Sequence, residues 1–166
     1  MSMTRDNKPR ARGALFGLLA VGLVIAASGL GQLATFPNLE PWYASLDKPW
    51  FNPPNAVFAP VWTALYALMA FAFWRILRLA PRTPGRGAAI AAFLGQLAFN
   101  VAWSFLFFAA QNPVLGLIDV VAQWALVVLT IALFWPLDRL AAFCLVPLAL
   151  WVGFATLLNV AIWRMN

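Results

Sequence analysis

Charge is the scarcest property of this chain. Of 166 residues only 11 are Lys or Arg and 5 are Asp or Glu, 10% in all, against roughly 25% in an average soluble domain. Histidine is absent, which excludes imidazole-ligated haem and His-based metal sites and removes the commonest general base. One cysteine, Cys144, leaves no partner for an internal disulfide. No Ser-His-Asp set, metal cluster or phosphate-cradling loop can be assembled from what remains. The cations lie almost wholly between apolar stretches, so the net charge of +6 reports membrane topology and not a nucleic-acid surface.

What is abundant is apolar surface, at 64% of residues. A soluble fold of this length could not hide that much, so a large share must face lipid. Five charge-poor stretches emerge, at about 13–36, 56–74, 87–110, 114–135 and 140–163. Each is long enough to cross a bilayer core of roughly 30 Å at about 1.5 Å per residue. They are too long, and lack the alternation, for strands of a small barrel. The expected fold is all-α, a single-domain integral membrane bundle of five transmembrane helices. The first stretch follows a basic leader, as in a signal peptide, but its length and the spans after it mark a retained helix. Between spans one and two, 37–55 carries Pro37, Pro41, Pro49, Pro53 and Pro54, through which a helix should not run. This segment is expected to be a lid over one membrane face.

With five spans, Arg5, Lys8, Arg10, Arg12, Arg75, Arg78, Arg82, Arg86 and Arg139 share one side, and only Lys48 and Arg164 occupy the other. That asymmetry predicts a cytoplasmic N-terminus, with the lid and C-terminus outside, and insertion into a bacterial inner membrane. Outer-membrane proteins are typically barrels.

The polar residues inside the spans crowd toward the lid side. Gln32, Trp62, Tyr66, Asn100, Trp103, Ser104, Asp119, Gln123 and Asn159 fall in that half, with Gln96 and Trp151 near the middle. Gln96, Asn100, Trp103 and Phe107 recur at helical spacing on one face, as do Trp151, Ala155 and Asn159. Two readings stand. Such groups serve as hydrogen-bonded glue between helices, or they line a cavity for a flat, mainly apolar ligand that indoles stack against and amides orient. Asp119 either caps its helix or a loop amide, or is a proton- or substrate-linked carboxylate. Trp42, Trp50, Trp74, Trp135 and Trp163 stand at span ends and read as an interfacial belt. Span three also pairs small residues four apart, Ala88 with Ala92, Ala91 with Gly95 and Ala98 with Ala102. Those faces suit close helix approach within a subunit or between two.

Four motifs resemble one family. The lid reads Trp42-Tyr43-x-x-Leu46-x-Lys48-Pro49-x-Phe51-x-Pro53-Pro54, and span two opens Val61-Trp62-Thr63-x-Leu65-Tyr66-x-Leu68-Met69. Span three carries Gln96-Leu97-x-x-Asn100-x-x-Trp103-Ser104-x-x-Phe107-Phe108. Span five carries Pro147-x-x-x-Trp151-x-x-Phe154-Ala155-Thr156-x-Leu158-Asn159. Together they resemble the TspO family, which spans the tryptophan-rich sensory proteins of bacteria and the mitochondrial translocator protein, or peripheral benzodiazepine receptor.

The resemblance implies a five-helix bundle, usually a homodimer, whose outer-half pocket binds porphyrins such as protoporphyrin and haem and benzodiazepine-type drugs. It assigns Tyr43 and Pro54 to the lid, and Trp62, Tyr66, Asn100, Trp103, Trp151 and Ala155 to the pocket. Trp62 and Trp151 match two indoles implicated in light-dependent porphyrin breakdown in some relatives. A dimer contact on span three would use Ala88, Ala91, Ala92 and Gly95. Val160 stands where the eukaryotic cholesterol motif has a tyrosine, and Leu148 replaces a second family tyrosine, which argues against cholesterol as ligand.

Porphyrin or haem is then expected as ligand and not as obligatory cofactor, with lipids as further partners. Lys48 is the expected partner of the porphyrin carboxylates. The function expected is binding and sensing, with transport of small apolar molecules or photo-oxidative breakdown through Trp62 and Trp151 as alternatives.

Overall fold

Five long helices are what lipid permits, because every backbone N–H and C=O in the hydrocarbon must be satisfied within its own segment. The computed structural model describes residues 7–166, with side chains from Ala11 onward. Arg5 lies outside the described residues, as do the side chains of Lys8 and Arg10. Helices α1 (Asn7–Asn38), α2 (Asn55–Leu77), α3 (Arg86–Ser104), α4 (Pro113–Phe134) and α5 (Arg139–Met165) account for nearly all of it, and the described residues include no strand. All five helices are long and apolar enough to cross a membrane. With the family evidence given below, they define an integral membrane protein.

The helices pack as a closed ring in the order α1, α2, α5, α4, α3. Outward positions such as Leu18, Leu33, Leu150 and Leu157 are exposed, as lipid-facing residues must be. At the arginine-rich end the ring closes on aromatic packing. Phe73 stacks on Phe93 at 4.2 Å and 6°, and Phe93 stacks on Phe134 at 6.2 Å. At the other end, Tyr43, Phe107, Phe108, Leu158 and Ile162 form a second cluster, with lid residues Trp42, Leu46 and Phe51 on it.

Local chemistry fixes the helix ends. Asn112 accepts from the N–H groups of Val114 and Leu115, both at 3.0 Å, with Pro113 at the first helical position of α4. Asp138 accepts from Ala141 N–H at 3.1 Å to start α5 and also receives Arg75 Nε at 2.6 Å from α2. Gly85, at φ +81°, supplies the left-handed turn before α3.

Two sequence expectations are corrected. Pro37 does not stop α1, which continues to Asn38. A proline in the last turn forfeits one hydrogen bond near an end that is already short of partners. There, Thr35 Oγ1 and Asn38 Nδ2 donate back to the carbonyls of Gly31 and Ala34, both at 2.9 Å. The break comes at Glu40, whose backbone is extended (φ −130°, ψ 131°) before the cis Glu40–Pro41 bond, and a short helical turn through Tyr43 follows. The proline-rich segment is therefore not wholly without helix. The third span also departs from a plain α-helix. From Phe105 to Ala109 it widens to a π-helical turn, which lets the consecutive Phe107 and Phe108 both point inward.

Candidate ligand cavity

Beneath the lid the ring holds a cavity that continues down the α1–α2 seam, about 940 Å³ over its whole length, at the upper end of the roughly 300–1,000 Å³ typical of small-molecule sites. Each helix contributes for a local reason. Gly116 of α4 sits where a Cβ would fall 2.9 Å from Phe107 Cδ2 and 3.1 Å from Asn159 Oδ1. Only a glycine lets α4 approach closely enough to hold Phe107 and Asn159 in place. The π turn carries Phe107 under the lid, where Trp42 meets it edge-on at 5.3 Å and Trp103 stacks on it at 4.9 Å and 12°.

Most residues singled out from the sequence converge here. Tyr43, Trp62, Tyr66, Asn100, Trp103, Phe107, Trp151, Ala155 and Asn159 all line the cavity. Three others do not. Gln96 lies fully buried between helices, its Nε2 3.7 Å from Met69 Sδ and its Oε1 without a partner. Pro54 ends the lid just before Asn55, which does line the cavity. Lys48 sits in the lid above, its ammonium donating to the carbonyls of Leu46 (2.9 Å) and Ala44 (3.3 Å) and lying 4.7 Å from the Tyr43 ring centroid.

The choice between helix glue and cavity lining resolves into both. Tyr66 OH donates to Asn100 Oδ1 at 2.7 Å, joining α2 to α3. Trp103 Nε1 donates to Asn159 Oδ1 at 3.2 Å, and Asn159 Nδ2 donates to Pro113 O at 2.8 Å, joining α3, α5 and α4. These groups are fixed by one another and still present faces to the cavity.

The tryptophans divide the same way. Trp74 donates to Gly13 O at 2.9 Å and Trp124 to Ala149 O at 3.0 Å, so each pins two helices. Trp62 and Trp151 differ. Both line the cavity, and among the described residues neither indole N–H has a protein acceptor. Trp62 packs against Tyr66 at 5.4 Å, and Trp151 meets Phe58 at 5.9 Å. Of the supposed belt residues, Trp50 is exposed as expected, whereas Trp42 belongs to the lid and Trp74 to the α1–α2 seam.

Some lining residues were not picked out as ligand-binding. Ser28, Gln32 and Thr35 of α1 bring a polar strip to the wall, with Gln32 Nε2 bonded to Ser28 Oγ at 3.0 Å. Their four- and three-residue spacing was the available signal. Gln123 of α4 forms the back wall, with its Nε2 unpartnered. Asp119, one turn away, is buried with Oδ2 unpartnered and is not the helix cap, a role Asn112 takes. Among the described residues no group of His, Cys, Asp or Glu could hold a metal ion.

The lid is fastened by polar contacts. Tyr43 OH donates to Asn52 Oδ1 at 3.3 Å. Asn166 at the end of α5 grips Asp47, accepting from its N–H at 3.0 Å and donating to its carbonyl at 3.1 Å.

The small-residue face of α3 splits. Ala92 is buried and Gly95 faces Leu126 of α4, whereas Ala88, Ala91 and Ala98 remain exposed.

Comparison with known proteins gives one consistent result. The model of the TspO/MBR family matches residues 20–164. The chain is 36% identical over 148 residues to the tryptophan-rich protein TspO of Chlorobaculum tepidum, covering 89% of this chain and 94% of that one. It is 39% identical over 127 residues to a tryptophan-rich sensory protein of Cereibacter sphaeroides, covering 76% and 78%. It is 35% identical over 153 residues to the translocator protein of Sus scrofa, covering 90% of each.

Proposed function

The chain belongs to the TspO/MBR family, and from that premise we propose that it is a membrane receptor that senses flat, largely apolar ligands in the cavity beneath its lid. Porphyrins and benzodiazepine-type drugs are the ligand classes. The observation that carries this reading is the division among the polar groups. Tyr66, Asn100, Trp103 and Asn159 are locked to one another, while Trp62 and Trp151 keep their indole N–H groups free at the cavity wall. A preorganised wall with two unused donors and large aromatic faces suits a planar ring system with a few acceptor atoms.

A porphyrin adds two carboxylates to its apolar disc. These point toward the lid, where Lys48 uses two of its three N–H donors on lid carbonyls and retains one. With no histidine in the chain, iron gains no imidazole ligand, so protoporphyrin binds about as well as haem. The protein resides in a bacterial inner membrane with its N-terminus in the cytoplasm, and it pairs with a second copy through the exposed Ala88 and Ala91 of α3.

The test is a titration of purified protein with protoporphyrin, haem and a benzodiazepine-type drug, read by tryptophan fluorescence. Saturable quenching by all three, with similar affinity for the two tetrapyrroles, is the expected result. A haem-only response would contradict it.

A further inference from the structure

The cavity does not end below Trp62. It continues as a groove along the α1–α2 seam, past Val21, Val24, Ala67 and Ala70, to Gly17 and Trp74. Val21 and Ala67 are exposed, so this stretch opens sideways to the hydrocarbon. Its walls are apolar, and the one indole N–H at its foot is already held by Gly13 O. From Trp62 to Trp74 the helix rises about 18 Å at 1.5 Å per residue, comparable with the roughly 15 Å of one leaflet's hydrocarbon.

The foot of the groove is flanked by cations. The Arg78 guanidinium lies 4.6 Å from the Trp74 ring centroid, and Arg12 adjoins Gly13, the residue that anchors Trp74, with its own guanidinium 5.4 Å from the Phe16 ring. Both arginines are exposed. Among the described residues the one ion pair is Arg75–Asp138, so neither has a carboxylate there.

We propose that this groove seats an anionic glycerophospholipid from the leaflet at the arginine-rich end, with one acyl chain along the α1–α2 seam and its phosphate between Arg12 and Arg78. A neutral lipid would fill the groove and leave both cations unmatched. A soluble phosphate would meet the cations and leave the groove empty. An anionic lipid satisfies both features, and each arginine near a headgroup contributes on the order of fivefold in affinity. The inference does not depend on what occupies the cavity under the lid.

Native mass spectrometry on the purified full chain tests it, using phosphatidylglycerol and phosphatidylcholine with identical acyl chains. The wild type should retain phosphatidylglycerol preferentially. The double variant Arg12→Gln/Arg78→Gln should lose that preference by on the order of twentyfold. Ala67→Phe, at an exposed position that leaves the core intact, should reduce retention of both lipids by filling the groove. Glycerol 3-phosphate in excess should displace neither. The proposal is overturned if the double variant keeps the preference, if Ala67→Phe binds both lipids as the wild type does, or if glycerol 3-phosphate alone displaces phosphatidylglycerol.

Discussion

Tyr66 and Asn100 meet across the cavity wall at 2.7 Å, the hydroxyl of α2 donating to the amide oxygen of α3. Tyr66→Phe leaves a buried amide oxygen without its donor, at a cost of about 1–3 kcal/mol. Thermal unfolding in detergent should fall accordingly. The same variant should bind protoporphyrin more weakly, because Asn100 is then free to turn.

Gly116 predicts a steric effect. Gly116→Ala places a methyl group 2.9 Å from Phe107 and 3.1 Å from Asn159, and overpacking of this kind costs about 1–3 kcal/mol. Gly22→Ala serves as the control, since a Cβ there meets nothing within 4 Å. The unfolding temperature should drop for the first and hold or rise slightly for the second.

Asp138 gives a pH dependence. Burial pushes its carboxyl up, but the hydrogen bonds from Arg75 and the Ala141 N–H, with the charge of Arg75, outweigh this and hold it below the ordinary 3.8. A depressed folded value means the stabilisation is complete above the unfolded pKa and is lost as pH falls through the folded one. Wild-type stability should therefore decline below about pH 4. Asp138→Asn should be less stable at neutral pH and show a smaller acid decline, measured by thermal melts across pH 3–7.

Lys48 separates ligand classes. With one ammonium N–H left over from its two lid carbonyls, Lys48→Ala should weaken a dicarboxylic porphyrin several-fold more than a neutral drug. Equal losses in parallel titrations would assign Lys48 to lid closure alone.

Much of this was legible in the sequence because the bilayer enforces it. Apolar runs long enough to cross the bilayer, separated by arginine-bearing or proline-bearing segments, leave helices as the sole economical reading, and all five recur in the structure. Helical spacing put Asn100 with Trp103 on one face and Trp151 with Asn159 on another, and the family resemblance implied that the two faces share a pocket. What escaped was set by contacts between helices. Gln96 shares a face with Asn100 by periodicity, yet it sits where α2 seals the bundle with Met69. Pro37 is a helix breaker by propensity, but the last turn of α1 tolerates it and the break falls at Glu40. Gly95 and Ala91 look equivalent in a small-residue repeat, although only the first packs against α4. The groove on α1 was hidden because a lipid-facing helix and a groove-lining one share the same apolar composition.

The central claim is that Trp62 and Trp151 offer the ligand free indole N–H groups at the cavity wall, while Trp124 serves only the scaffold. Protoporphyrin titrations of Trp62→Phe, Trp151→Phe and Trp124→Phe test it most directly, read by the porphyrin's own absorbance so that lost indole emission does not interfere. Loss of a donor and of ring area should weaken binding about tenfold in each of the first two. Trp124, pinned to Ala149 outside the cavity lining, should leave affinity unchanged when replaced. Wild-type affinity in both Trp62→Phe and Trp151→Phe, or an equal loss in all three, would contradict the account.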